Sequence, residues 1–200
     1  MHEIAKLLID AKAVMLRPKE PFTYASGIKS PIYTDCRLMI SMPSARRMIV
    51  ERWKANAQNK GIHLIAGTAT AAIPWAAFLA DAMNLPMCYV RKEEKGHGMG
   101  KRIEGIAEKR QHALLVEDLV TTGGSSLSAI KALREAGCAA DTCFCIFSYG
   151  LAKSAAAFSE EGAELIPLCT LPELLEHSAL SLEERRIVET WAKDPDRWKS

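Results

Sequence analysis

The chain has 200 residues, 48% of them hydrophobic and 25% charged, enough for one domain with a full core. A formal net charge of +2, with both signs interspersed, supplies no global field for a nucleic acid or a membrane surface, so any anion site is local. No apolar run approaches the roughly 18 residues of a membrane span, the start MHEIAKLLIDAKAV reads as an amphipathic helix, and six cysteines form no Cys-x-x-Cys pair, so a reduced, cytoplasmic protein is expected.

In chain order, residues 2–13 read as a helix, and Arg17 to Asp35 is rich in turns, with Pro18, Pro21, Gly27 and Pro31. The run PFTYASGIKSPIYTDCR, Pro21 to Arg37, sets Phe22 and Tyr33 beside Lys29 and Arg37. Flat faces near cations suit a planar, anionic heterocycle. By composition alone, a surface turn with core aromatics is the commoner outcome. A helix is expected after Ser41, with Pro43 in its first turn, to about Asn56. Ile62–Ala66 then reads as a strand and Ala71–Met83 as a helix. Between them Gly67, Thr68, Ala69 and Thr70 are small enough to admit a ligand against the backbone; alone they are better explained by a tight strand-to-helix turn, and beside the other motifs they read as a second phosphate loop.

Met87–Val90 reads as a strand leading into YVRKEEKGHGMGKRIEG, Tyr89 to Gly105. Here Arg91, Lys92, Lys95, His97, Lys101 and Arg102 interleave with Gly96, Gly98 and Gly100. The glycines predict a mobile loop, and the cations suit an anion that is covered and then released. A solvated charged hairpin is the alternative. The spacing does not match a dinucleotide fingerprint.

The most informative run is LLVEDLVTTGGSSLSAI, Leu114 to Ile130. A strand at Ala113–Val116 delivers Glu117 and Asp118 to a carboxyl edge, where open α/β sheets bind ligands. Leu119 and Val120 follow, then Thr121, Thr122, Gly123, Gly124 and Ser125. Two glycines let the turn aim several N–H groups at one point, and the next helix adds its positive end. This describes a phosphate cradle beside two carboxylates that can accept hydrogen bonds from sugar hydroxyls. No Gly-Lys-Ser/Thr ending is present, so a nucleoside triphosphate loop is disfavoured.

Beyond it come a helix at Ser126–Ala136 ended by Gly137, a strand at Thr142–Phe147 with Cys143 and Cys145 as small core residues, a helix at Leu151–Glu160 and a strand at Glu164–Leu168. A last helix starts at the capping box of Ser181 and ends near Lys193, before Asp194-Pro195. This alternation predicts an α/β fold with a parallel sheet.

The four segments, FTxxSGxKSPIY, GTATA, RKExKxHG and VEDxxTTGGS, together resemble the orotate phosphoribosyltransferase family of the type I phosphoribosyltransferases. The resemblance covers about Pro21 to Ser148. The closing helix, with Trp191, Asp194-Pro195 and Trp198, is similar to the bacterial branch.

It implies a type I phosphoribosyltransferase fold, with a mostly parallel central sheet flanked by helices. One domain would span 1–200, its core at about 38–170 and a small hood formed from about 1–37 and 171–200. It implies transfer of the phosphoribosyl group of phosphoribosyl pyrophosphate (PRPP) to orotate, giving orotidine 5′-monophosphate and pyrophosphate in UMP biosynthesis. Mg²⁺ is the implied cofactor, held largely by substrate oxygens, with no side-chain ligand assigned.

Carried over by position, the PRPP contacts fall on Arg91, Lys92, Lys95, His97, Glu117, Asp118, Leu119, Val120, Thr121, Thr122, Gly123, Gly124, Ser125, Thr68, Ala69, Thr70 and Ala71. The catalytic set is Lys95, His97 and Asp118, and orotate falls to Lys29, Tyr33, Arg37 and Thr121. The resemblance further implies a homodimer sharing loop 91–105 across its interface, with no nucleic acid or membrane partner.

Positions where some members carry Lys fall here on Ala25 and Ala71, and FSYGLAK lacks an Arg that contacts orotate in some relatives. Lys29 or Arg37 is therefore expected to meet the orotate carboxylate. Three rivals are a phosphoribosyltransferase for another base, opposed by the FTxxSGxKSP segment, a PRPP-sensing regulator, opposed by the lack of a basic recognition helix and by the intact Lys95 and His97 loop, and a domain of a fused pyrimidine enzyme, for which no decarboxylase-sized extension is expected.

Overall fold

A computed structural model describes residues 2–23, 27, 29–93, 102–195 and 197–198. The amino-terminal part contains α1 (His2–Asp10), β1 (Val14–Leu16), β2 (Phe22–Thr23), β3 (Lys29–Ser30), β4 (Ile32–Thr34) and a 3-10 helix (Cys36–Ser41). Then follow α2 (Pro43–Ala57), β5 (Leu64–Thr68), α3 (Ile73–Met83), β6 (Met87–Val90), β7 (Ile103–Gly105) and β8 (His112–Val120). The remainder is α4 (Gly124–Glu135), β9 (Ala139–Ser148), α5 (Ala152–Glu160), β10 (Glu164–Thr170), α6 (Leu171–Glu176) and α7 (Leu182–Lys193).

Six strands form one sheet in the order β10-β9-β8-β5-β6-β7. Every pair is parallel except the β6–β7 hairpin. Parallel neighbours need crossover connections, and α3, α4 and α5 supply them.

Alternation along the strands sets the layers. Ile65, Leu114, Val116, Phe144 and Ile146 face one apolar cluster, which takes in α1, α2, α3, α6 and α7. Their neighbours Leu64, Ala66, Leu115, Cys143 and Cys145 face the other, with Ala129, Ile130 and Leu133 of α4 and Phe158 of α5. Successive strand residues point to opposite faces, so a continuous apolar run is what a doubly covered sheet requires. On the first face the buried rings of Trp53 and Trp75 meet edge to face at 6.2 Å and join α2 to α3.

Several boundaries differ from the sequence reading. The first helix stops at Asp10, and Lys12 turns the chain at φ +54° into β1. β1, just before the turn-rich stretch, pairs with β4 inside it, and β2 pairs with β3, each strand too short to leave a period in the sequence. The helix expected from Ala71 begins at Ile73, with Pro74 in its first turn. β8 runs past Val116 to Val120 because β9 continues beside it, pairing Glu117 with Cys145 and Val120 with Ser148. An unexpected helix, α6, follows β10 and is closed by a capping box of Thr170 and Glu173.

The strand order positions the site. From β5 the chain moves outward to β6, and from β8 it moves the other way to β9. The loops leaving β5 and β8 diverge, which opens a crevice at the carboxyl ends of these two neighbours.

Candidate active site

The turn after β8 depends on Gly123, which takes φ +86° and packs directly over α5. A Cβ at this position would lie 2.7 Å from Cε2 of the buried Phe158 ring. The tight turn allows α4 to start at Gly124, and the N–H groups of that first turn have no helical acceptor. They point, with the helix's partial positive charge, to the place where an anion is best held.

The turn after β5 forms the facing wall. At Gly67 a Cβ would lie 2.9 Å from Cβ of Ala76, so glycine lets α3 press against the strand. The Ala69–Thr70 peptide bond in this turn is cis. Thr68 Oγ1 is buried at this turn, on the side of the Glu117 carboxyl.

Between these turns lies a cavity of about 690 Å³. It is lined by Thr68–Ala71, by Glu117–Ser126 and, from the amino-terminal segment, by Thr34, Asp35, Cys36 and Arg37. Three stretches far apart in sequence thus meet at the β5/β8 crevice.

The two acids end on opposite faces of β8, as strand periodicity requires. Glu117 is buried on the α4 side, where Oε2 accepts from Ser126 Oγ at 3.3 Å and Oε1 from the backbone N–H of Asp118 at 3.1 Å. Burial, and then the neighbouring Asp118 charge, push the Glu117 carboxyl up to about 8. Asp118 is raised as well, chiefly by burial. Burial and the closeness of the two carboxyls therefore favour a proton on this pair at neutral pH.

Of the expected orotate contacts, Thr121 and Arg37 line the cavity, whereas Lys29 and Tyr33 are absent from its described lining. Arg37 lies bidentate on Asp35, with Nε to Oδ1 at 2.7 Å and Nη2 to Oδ2 at 2.9 Å. This pairing holds the Asp35 carboxyl below its ordinary value. Tyr33 packs on Phe22 with ring centroids 5.7 Å apart, and Lys29 is on the β3 strand beside them. Arg91 and Lys92 line a small pocket of about 50 Å³ that includes Thr68, Ala69 and Ser125. Lys95 and His97 lie outside the described residues, as do the other residues of 94–101 and Ala25.

The sequence reading had not singled out Ser126, Asp35, Cys36 or Thr34. Ser126 directly follows the Thr-Thr-Gly-Gly-Ser turn, and Asp35 sits two residues before Arg37, the spacing at which a carboxylate caps the following helix. Thr34 accepts from the Tyr149 hydroxyl at 3.0 Å, which ties the amino-terminal segment to the end of β9.

Comparison with known proteins agrees with this geometry. The phosphoribosyl transferase domain family matches residues 42–161. Orotate phosphoribosyltransferase of Bacillus pumilus is 48% identical, across 96% of this chain and 94% of that protein. The Listeria monocytogenes enzyme of that name is 43% identical, across 98% of this chain and 97% of its own length. The crystal structure of orotate phosphoribosyltransferase from Aeropyrum pernix superposes with a TM-score of 0.76 at 30% identity, covering 86% of this chain and 96% of that one. On the match of fold and of nearly the whole sequence, the chain belongs to the orotate phosphoribosyltransferase family, within the type I phosphoribosyltransferases.

Proposed function

We propose that this chain is the enzyme that joins orotate to PRPP, releasing pyrophosphate and forming orotidine 5′-monophosphate for UMP synthesis. The observation that carries this reading is the single cavity uniting the phosphate turn, the acid pair, the β5 turn and the 34–37 segment. Thr121–Ser125 hold the 5′-phosphate, and Leu119 and Val120 complete the PRPP lining. Glu117 and Asp118 hold the ribose hydroxyls. Backbone N–H groups of Thr68–Ala71 meet the pyrophosphate, together with Arg91, Lys92, Lys95 and His97. Orotate lies toward Thr121 and Arg37, with Tyr33 and Lys29 behind. Segments 1–37 and 171–200 act as a hood over the site.

In the reaction a ring nitrogen of orotate bonds to the anomeric carbon as the bond to the pyrophosphate oxygen breaks. Positive charge gathers on the ribose and negative charge on the leaving group. In this reading Asp118 complements the charge on the ribose and Lys95 the charge on the leaving group. Among the described residues no three His, Cys, Asp or Glu side chains gather around a metal position. The polar cavity with its carboxylate oxygens fits a Mg²⁺ ion that keeps most of its shell from substrate and water, and such an ion stabilises charge on pyrophosphate when bound. The enzyme works as a homodimer with loop 91–105 reaching the neighbouring site. We place it in the cytoplasm; no described helix is long and apolar enough to cross a membrane.

A base panel tests the reading. Orotate, adenine, hypoxanthine and uracil are each incubated with PRPP and Mg²⁺ and followed by absorbance. Turnover of orotate alone is expected. Turnover of another base instead would assign a different phosphoribosyltransferase, and PRPP binding without any turnover would assign a regulator.

A further inference from the structure

The β6–β7 hairpin carries Arg91 and Lys92 on its outgoing limb and Arg102 on its return. Its two limbs are joined at this point by a reciprocal pair. The Arg91 N–H donates to the Arg102 carbonyl at 2.8 Å, and Arg102 Nε donates to the Arg91 carbonyl at 3.2 Å. The rest of the Arg102 guanidinium crosses to α4, where Nη2 donates to Ser128 Oγ at 2.9 Å and Nη1 to the Ser128 carbonyl at 3.3 Å.

One half-buried side chain therefore holds both hairpin limbs and the helix that begins at the phosphate turn. Among the described residues, the hydrogen-bond acceptors of the Arg102 guanidinium are the Arg91 carbonyl and the carbonyl and hydroxyl of Ser128. Arg91 meets Glu104 only at 3.5 Å. Arg91, Lys92 and Arg102 all line the pocket that shares Thr68, Ala69 and Ser125 with the main cavity.

We propose that Arg102 is a positioning residue for PRPP: it clamps the hairpin to α4 and so fixes where Arg91 and Lys92 stand against the phosphate turn. This rests on the reading of Arg91 and Lys92 as pyrophosphate contacts. A planar fork is what the geometry demands, because three acceptors on two elements are reached at once. Lysine keeps the charge but has one point to offer. Loss of the clamp displaces cations at the pyrophosphate end and leaves orotate and the 5′-phosphate turn in place.

The test compares Arg102→Ala, Arg102→Lys and Ser128→Ala in steady-state kinetics with both substrates, with thermal unfolding as a check on folding. Displacement of a binding group by about 1 Å can cost around a hundredfold. Arg102→Ala is expected to lower kcat/KM for PRPP by about 10- to 100-fold, with orotate KM within about twofold of the parent. In the reverse direction KM for pyrophosphate rises, and KM for orotidine 5′-monophosphate does not. Arg102→Lys recovers part of the loss. Ser128→Ala gives a smaller loss of the same kind, and none when added to Arg102→Ala.

Parental PRPP kinetics in Arg102→Ala would overturn the proposal. So would an equal loss toward both substrates with a lowered unfolding midpoint, which is what a purely structural role produces. If the parent protein itself does not turn over orotate and PRPP, the functional reading beneath the proposal has failed, and the proposal falls with it.

Discussion

Glu117 and Gly123 show how single residues set the site. In the native chain the Glu117 carboxyl keeps its proton up to about pH 8, whereas the unfolded chain releases it near its ordinary value of 4.5. Between these values the unfolded state binds fewer protons, so this group makes the ligand-free protein less stable as pH rises across that window. Glu117→Gln removes the titration. Thermal midpoints of parent and variant, measured from pH 5 to about 8, should converge at the acid end and separate in the variant's favour at the alkaline end. Parallel curves would contradict this account of the burial. Gly123→Ala combines a positive φ with contact against the Phe158 ring. It should cost about 1–3 kcal/mol in denaturant unfolding, and weaken PRPP binding by displacing the turn. An unchanged midpoint would mean that the ring yields freely. The glycine was legible from its Thr-Thr-Gly-Gly setting. Phe158, 35 residues further on, was not, because only the packing of α5 beneath the turn brings it there.

At the scale of elements, the long strands and helices were legible and the short ones were not. β6 lies where the sequence placed it, since flanking turn residues bracket a clear apolar run. The strands β1 to β4 hold two or three residues each, too few for alternation to register, and only tertiary pairing defines them. Their effect on the site is large, because they carry the chain to Thr34–Arg37 at the mouth of the cavity. Arg37 is the cation that lines it, yet its fork is on Asp35. Arg37→Ala should raise KM for orotate by about 10- to 100-fold, the worth of one hydrogen bond to a charged group, with little change for PRPP. Lys29→Ala should do less. Unchanged orotate KM in both variants would assign the carboxylate to another group.

For the molecule as a whole, the reversal of direction between β5 and β8 explains why sequence segments about 50 residues apart act together. The alternation of apolar runs predicts a parallel sheet. The strand order, and with it the location of the crevice, depends on long-range pairing that no local pattern encodes. A dimer would likewise leave no trace in periodicity, and complementation tests for one. Lys95→Ala should lose roughly 2–4 kcal/mol of transition-state stabilisation, and Asp118→Asn should be similarly impaired. If loop 91–105 serves the neighbouring site, mixed and re-equilibrated protomers of the two variants recover activity that neither has alone. No recovery would confine each loop to its own subunit.

If one site in this chain transfers the phosphoribosyl group from PRPP to orotate, pyrophosphate release and orotate use are coupled. The most direct measurement counts pyrophosphate released against orotate consumed by the purified protein with PRPP and Mg²⁺. Equal amounts are expected, with negligible pyrophosphate release when orotate is omitted. Pyrophosphate release independent of orotate, or orotate left unconsumed while PRPP is bound, would contradict it.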